Sequence, residues 1–214
     1  MKVGVGLLTC PGREGYFEKA DDAIQERLSA HRCFVFHDTF REGIAKGKNH
    51  LFEAMLDVGG DWLFICEDDC IVLSPMAVDG YIEACKQSGF QHLGFGQHRN
   101  QHPTEVGEVL TLWPNIVAPW SVYSRKCLEA CGLMDEGFPG NLEHVEHTMR
   151  LARAGYAWVP EKHKLMADAT GSLDWLVNLD APSLIDTSRF GEAQRYWFAK
   201  DPGTYGMIWS WSPT

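Results

Sequence analysis

The chain has 214 residues, enough for one domain with a sizeable core. Hydrophobic residues make up 45% and charged residues 22%, ordinary values for a globular chain and unlike a disordered or fibrous one. A formal net charge of −10 argues against a general nucleic-acid binder, which needs a basic face, but not against a nucleotide ligand, whose phosphates a metal can offset.

The first expected element is a buried strand over Val3–Leu8, followed by the turn-rich loop "TCPGREG" (9–15). A helix over 16–30 follows, with Phe17, Ala20, Ile24 and Leu28 at spacings of three and four. "RCFVFHD" (32–38) reads as a second strand. Residues 42–60 read as a helix with Ile44, Leu51, Met55 and Val58 inward and Gly59-Gly60 ending it. "DWLFICEDD" (61–69) is a third strand. Strand–helix–strand–helix–strand in this order implies a mostly parallel, Rossmann-type α/β sheet flanked by helices.

A helix over 75–88 comes next, then an irregular stretch (89–124) with strand-like pieces broken by Pro114 and Pro119. Helices are expected over 125–131 and 141–154, closed by Gly132 and Gly155, and a short strand over 156–160. The tail, 161–214, carries one helical stretch (188–199) and otherwise reads as loop. There is no internal repeat or linker. The whole chain reads as one domain, with a first half (1–74), a second half (75–165) and a packed tail (166–214).

Seven cysteines, in pairs such as Cys66/Cys70 and Cys127/Cys131, lack zinc-ribbon spacing and read as reduced thiols of a cytoplasmic protein. The apolar run at the start is too short for a secretory leader, and no window reaches the roughly 20 apolar residues of a membrane helix.

The chemistry concentrates where an apolar strand ends in three adjacent acids, Glu67, Asp68 and Asp69. Ligands of open parallel sheets bind at the carboxyl ends of the strands, which here are Thr9, Asp38 and this triplet. In extended geometry Glu67 and Asp69 face the same way, and like charges so placed repel unless a cation sits nearby. Mg²⁺ and Mn²⁺ take such oxygen ligands and bridge to phosphates. The plainer alternative is a solvated acidic turn before Pro75.

The triplet resembles the acidic signature, Asp-x-Asp or Glu-Asp-Asp, of nucleotide-sugar-dependent glycosyltransferases with the GT-A fold, of the family-2 kind. "VGVGLLTCPGR" is similar to their first strand and nucleotide loop. "GIAKGKNHLFEAML" resembles the helix that brings a basic residue and an asparagine, here Lys46 and Asn49, to the nucleotide. "WSVYSRKCLEACGLMDEGFPGNLEHVEHTMRLARAGYAWVP" (120–160) looks like their acceptor-side segment, through Arg125, Gly132, Asp135, Glu143, Glu146, Arg150, Gly155 and Tyr156. The likeness covers roughly residues 3–165.

It implies a hexosyltransferase, inverting the anomeric centre and dependent on Mn²⁺ or Mg²⁺. The donor is read as a UDP-sugar and the acceptor as a hydroxyl on a glycan, a small molecule or a modified nucleobase. Thr9, Arg13, Asp38, Lys46, Asn49, Glu67 and Asp68 would then meet the donor. Asp69 would hold the metal, with His163 completing the shell and His147 its rival. The family's catalytic base is an Asp in a Glu-Asp pair, but this chain has His144 after Glu143, so the base is Glu143 or His144.

Each residue has a plainer reading. Asp38 can cap a turn, and Arg13 and His163 can be solvated. Trp113, Trp120, Trp209 and Trp211 more often pack than stack on sugars. Leu142, Val145, Met149 and Ala152 form an apolar stripe on one helix, with Glu143, Glu146, His147 and Arg150 on its polar side and Glu146–Arg150 spaced for an ion pair. His144 and His147 are one residue short of the zinc-protease spacing. Two other classes remain open: a non-catalytic nucleotide-sugar-binding module, and a sugar-phosphate nucleotidyltransferase, for which "TCPGREG" is too poor in glycine.

Overall fold

The computed structural model describes residues 1–98, 101–138, 141–179 and 187–209. At its centre is β1 (Val3–Thr9). β2 (Arg32–His37) and β3 (Trp62–Glu67) pair parallel to it on either side. β8 (Trp120–Ser124) pairs antiparallel with β3, and β5 (His92–Gly94) antiparallel with β8, giving the order β2-β1-β3-β8-β5. Four of the five strands therefore run one way and only β8 opposes them.

The period-two alternation of the strands divides the core into two layers. Val5, Leu7, Phe64, Cys66, Trp120 and Val122 face α1 (Glu14–Arg27) and α3 (Met76–Ser88). Leu8, Leu63, Ile65 and Tyr123 face α2 (Ile44–Asp57), α4 (Arg125–Cys131) and α5 (Glu143–Arg153). β1 shows why its sequence alternates valine with glycine. A Cβ on Gly4 or Gly6 would meet Met55 at 2.7 Å or Leu51 at 3.1 Å, so the glycines let α2 lie close on the sheet. Gly47 makes the reciprocal allowance, since its Cβ would fall 2.6 Å from Leu8. This close seating brings the first turn of α2 against the carboxyl ends of β1 and β3.

Two smaller sheets complete the fold. β4 (Cys70–Val72) pairs with β10 (Leu176–Asn178). β6 (Glu105–Val106), β7 (Leu110–Trp113) and β9 (Met166–Ala169) form the other. The tail is more ordered than its composition implies: besides β9 and β10 it forms α6 (Ser172–Trp175), α7 (Phe190–Lys200) and α8 (Pro202–Trp209). The strand expected over 156–160 does not form. That stretch is a turn and extended loop, and the strand comes later as β9, whose backbone pairs with β7. Trp113 and Trp120 are fully buried core residues. Trp211 and the side chain of Trp209 lie outside the described residues.

Candidate active site

The acidic triplet sits on a reverse turn. β3 ends at Glu67, Asp68 and Asp69 make the turn, and β4 starts at Cys70. The extended geometry expected across Glu67–Asp69 therefore breaks at the turn, and each acid has its own surroundings. Asp68 is an anchor. Its Oδ2 accepts from Thr9 Oγ1 at 2.7 Å, and its Oδ1 accepts from Arg13 Nε at 2.9 Å and Nη2 at 2.5 Å. Glu67 Oε1 pairs with Lys48 Nζ at 2.6 Å. Asp69 Oδ2 lies 3.2 Å from Arg13 Nη2, while its Oδ1 is buried with no hydrogen-bond partner. Burial, with the charge of Glu67 next, raises the Asp69 carboxyl to about 6 against the pull of Arg13.

Arg13 and Lys48 thus offset two of the three negative charges. Arg13 is itself nearly buried and lies over the Tyr16 ring, 4.6 Å from its centroid. The expectation that Arg13 is a free phosphate ligand meets a guanidinium already engaged by two carboxylates.

Other expected donor residues also have protein partners. Asp38 accepts from the backbone N–H of Glu42 at 2.7 Å and Gly43 at 3.0 Å, the capping role that was its plainer reading. Lys46 pairs with Glu42 on the surface. Asn49 donates to the Met134 carbonyl and to Glu136 Oε1, both at 2.9 Å, and accepts from Met134 N at 2.9 Å, so its amide braces α2 against the turn before α5.

The basic residue of α2 that reaches the acids is Lys48, 1% exposed, and the sequence reading passed over it. A signal was present. Lys48 stands three, four and seven residues before Leu51, Phe52 and Met55, so it occupies an apolar-stripe position of α2. A lysine there must bury its charge and find partners.

On the other side of Lys48 is the start of α5. Leu142 takes a left-handed conformation, φ 69°, immediately before Glu143. A non-glycine residue there stores strain of order 1 kcal/mol. Glu143 is buried; its Oε1 lies 3.2 Å from His144 Nδ1, and its Oε2 has no hydrogen-bond partner. Burial would raise this carboxyl, but the hydrogen bond from His144 and the charges of His144 and Lys48 outweigh it and hold the value at about 2. His144 is the more exposed of the two, with 19% of its side chain accessible against 3%, and its Nε2 lies 3.4 Å from the Ile116 carbonyl.

The polar side assigned to α5 is not solvated. Glu146 and His147 are buried. Arg150 binds Glu146 twice, at 2.8 and 3.0 Å, and donates to the carbonyls of Cys131 and Leu133, so the expected ion pair doubles as a clamp on the turn after α4. His147 Nε2 lies 2.9 Å from the Gly132 carbonyl, and its ring stacks on Tyr123, which stacks in turn on His92. Burial lowers His147 to about 3 and His92 to about 4. His144 and His147 are thus bound to different partners and make no joint zinc site. His163 is exposed on a turn with φ 62°, and no three His, Cys, Asp or Glu side chains that could hold a metal gather among the described residues.

No family model and no curated protein sequence matches the chain. Solved structures do. Residues covering 99% of the chain and 70% of the other superpose on Staphylococcus aureus TarS 1-349 with a TM-score of 0.58 at 11% identity. The Drosophila β-1,4-galactosyltransferase 7 mutant complexed with manganese, UDP-Gal and xylobiose gives 0.53 at 14% identity, over 89% of this chain and 79% of that one. A mannosyltransferase from Pyrobaculum calidifontis, in complex with GDP-Man and Mn²⁺, gives 0.52 at 13% identity over 72% of this chain. The chain spans about half, 53%, of that mannosyltransferase's length.

The chain has the GT-A glycosyltransferase fold.

The turn after β3 lies at the carboxyl end of a strand parallel to β1, the edge at which open α/β sheets bind ligands, and its chemistry could suit one divalent cation. Asp69 Oδ1 is a buried carboxylate oxygen with no donor. Mg²⁺-type sites commonly use one or two carboxylates, with substrate phosphates and water filling the rest. Asp68 has both oxygens occupied and does not fit that role. A groove of about 510 Å³ runs along α3 and Trp175, and none of these site residues lines it. No described helix is long and apolar enough to cross a membrane.

Proposed function

We propose that the protein is a metal-dependent glycosyltransferase that moves a sugar from a nucleoside-diphosphate donor, read as UDP-linked, to a hydroxyl acceptor with inversion. The orphaned Asp69 oxygen, in a turn at the carboxyl end of β3, carries this reading. Asp69 would hold Mn²⁺ or Mg²⁺, which when bound neutralises the diphosphate. Thr9 and Arg13 fix the turn through Asp68, and Glu67 is the acid left to approach the donor.

His144 takes the acceptor's proton. A carboxyl held at about 2 is a weak base at neutral pH, so Glu143 serves better as the ionised partner that keeps a proton on His144 Nδ1. Nε2 is then free to accept. The acceptor oxygen bonds to the anomeric carbon, the bond from that carbon to the diphosphate oxygen breaks, and its electron pair leaves with the nucleoside diphosphate. The new Nε2–H can then donate to the Ile116 carbonyl, 3.4 Å away.

The test is slow hydrolysis of UDP- and GDP-sugars with Mn²⁺, read as nucleoside diphosphate release. Release that is lost with EDTA and in Asp69→Ala supports the enzyme. Nucleotide binding without release under any donor and acceptor panel would leave only a binding module.

A further inference from the structure

A lysine with an accessibility of 1% is costly unless its charge is compensated, and Lys48 is compensated from two sides. Its ammonium is 2.6 Å from Glu67 Oε1. The charge of Glu143 is the next to support it, ahead of Tyr123. The charged and titratable groups that act electrostatically on Lys48 are Glu67 from β3, which it touches, and Tyr123 from β8, His92 from β5, and Glu143 and His147 from α5. Both histidines are held neutral by burial, and burial pushes the Tyr123 hydroxyl up to about 12. The charges that count at neutral pH are therefore one ammonium and two carboxylates.

The two carboxylates belong to different halves of the site. Glu67 is 31% exposed, at the donor-side strand end; Glu143 is buried behind His144. A purely structural ion pair has no need of an exposed member. Nor does it explain why the buried member keeps an oxygen, Oε2, without a hydrogen bond. The stem of Lys48 lies in the layer of Leu51, Phe52 and Met55, so its head cannot swing far.

We infer that Lys48 is a positioning residue of this site: held by Glu67 and within electrostatic reach of Glu143, its one ammonium ties the donor-side carboxylate to the Glu143–His144 pair. The inference rests on the glycosyltransferase reading for its catalytic meaning, though its electrostatic part does not. Donor-side events at Glu67 are felt at the dyad through Lys48. If a donor draws Glu67 away, the ammonium is left to Glu143 alone and holds it more firmly ionised.

The experiment follows the titration of the Glu143–His144 pair by NMR of the imidazole Cε1 proton in the free protein, with His144→Gln to assign the signal. Lys48→Met is expected to move the midpoint upward by about one unit, because removing the cation favours the protonated pair. Lys48→Arg is expected to stay near the wild-type midpoint. Glu67→Gln is expected to move it downward, because the ammonium is then less shielded. This variant alters a partly exposed side chain and keeps the test alive if Lys48→Met does not fold.

In nucleoside diphosphate release with Mn²⁺ and UDP-galactose or GDP-mannose as probe, Lys48→Met is expected to lower kcat by up to about tenfold near neutral pH, the most that a one-unit rise in the base's midpoint allows, with KM changed less than about threefold. A midpoint that moves in none of the folded variants overturns the inference, whatever the turnover. Midpoints that move as expected, in a protein that releases no nucleoside diphosphate from any donor, leave the electrostatic tie standing and overturn the glycosyltransferase reading instead.

Discussion

Two aspartates, the partly buried Asp69 and the fully buried Asp168, make an instructive pair. Burial raises both carboxyls to about 6. Their surroundings differ in kind. Asp168, on β9, accepts from Tyr81 at 2.5 Å, Ser172 at 2.7 Å, Ala169 N at 2.8 Å, Trp113 Nε1 at 3.1 Å and Gly96 N at 3.2 Å. It ties α3, α6 and the segment after β5 to the third sheet, and neither carboxylate oxygen is left without a donor. Asp69 has one cationic neighbour, a second oxygen without a partner, and 23% of its side chain accessible. A saturated buried acid holds a fold together; an unsaturated one beside like charges has an oxygen that a cation could satisfy, as the proposed function requires of Asp69.

Substitution should separate the two aspartates most sharply through activity. Asp69→Ala is expected to lower Mn²⁺-dependent nucleoside diphosphate release by about 10³-fold or more, the scale of losing a charge-stabilising group. Its melting temperature should be unchanged or higher, because Glu67 and Asp68 lose a like-charged neighbour. A comparable fall in melting temperature and activity would show that Asp69 is structural after all.

Asp168→Asn should do the reverse. Its amide group would face one of five donors with a donor of its own, costing about 3 kcal/mol of stability in chemical denaturation. Nucleoside diphosphate release per folded molecule should stay within about threefold of wild type. Full stability with lost turnover would move Asp168 into the site.

A smaller effect lies in the pH dependence of stability. His92 and His147 have folded values of about 4 and about 3, below the ordinary 6.5. Their contribution is present above pH 6.5 and is lost as pH falls toward those values. Asp168 acts in the opposite sense: raised from 3.8 to about 6, its contribution is present below 3.8 and is lost as pH rises through 6. Removing it leaves the histidines less opposed. Asp168→Asn should therefore lose stability more steeply than wild type on acidification from pH 6.5 to 4, measured by urea denaturation at a series of pH values. An unaltered slope would contradict the raised value.

The smallest effect is expected at Lys46. Its surface pair with Glu42 is screened by solvent, so Lys46→Ala should change the KM for donor by less than about twofold. A large rise in KM would return Lys46 to the nucleotide site as a direct ligand.

The first half of the fold was legible because its signals are local and agree with one another. β1, α1, β2, α2 and β3 follow from periodicity, turn glycines and apolar runs, and the acidic turn from its place after a buried strand. The later half depends on partners distant in sequence. β9 carries Asp168 in its middle, and a strand with a central carboxylate reads as loop until Tyr81, Trp113 and Gly96, 55 to 87 residues away, supply its donors. The same gap explains the choice between the two lysines of α2. Lys46 carried the family likeness, whereas Lys48 carried the helical periodicity, and only packing shows which one is buried. Glu143 and His144 were legible as a pair, but their division of roles required knowing that Glu143 is buried and His144 partly open.

The most direct test of the central claim, that Asp69 is the carboxylate kept open for a metal and its phosphate partner, is Mn²⁺ binding followed by electron paramagnetic resonance with and without UDP or GDP. The account predicts that wild type and Asp168→Asn bind Mn²⁺ when a nucleoside diphosphate is present, and that Asp69→Ala does not. Equal Mn²⁺ binding by Asp69→Ala under the same conditions would contradict it.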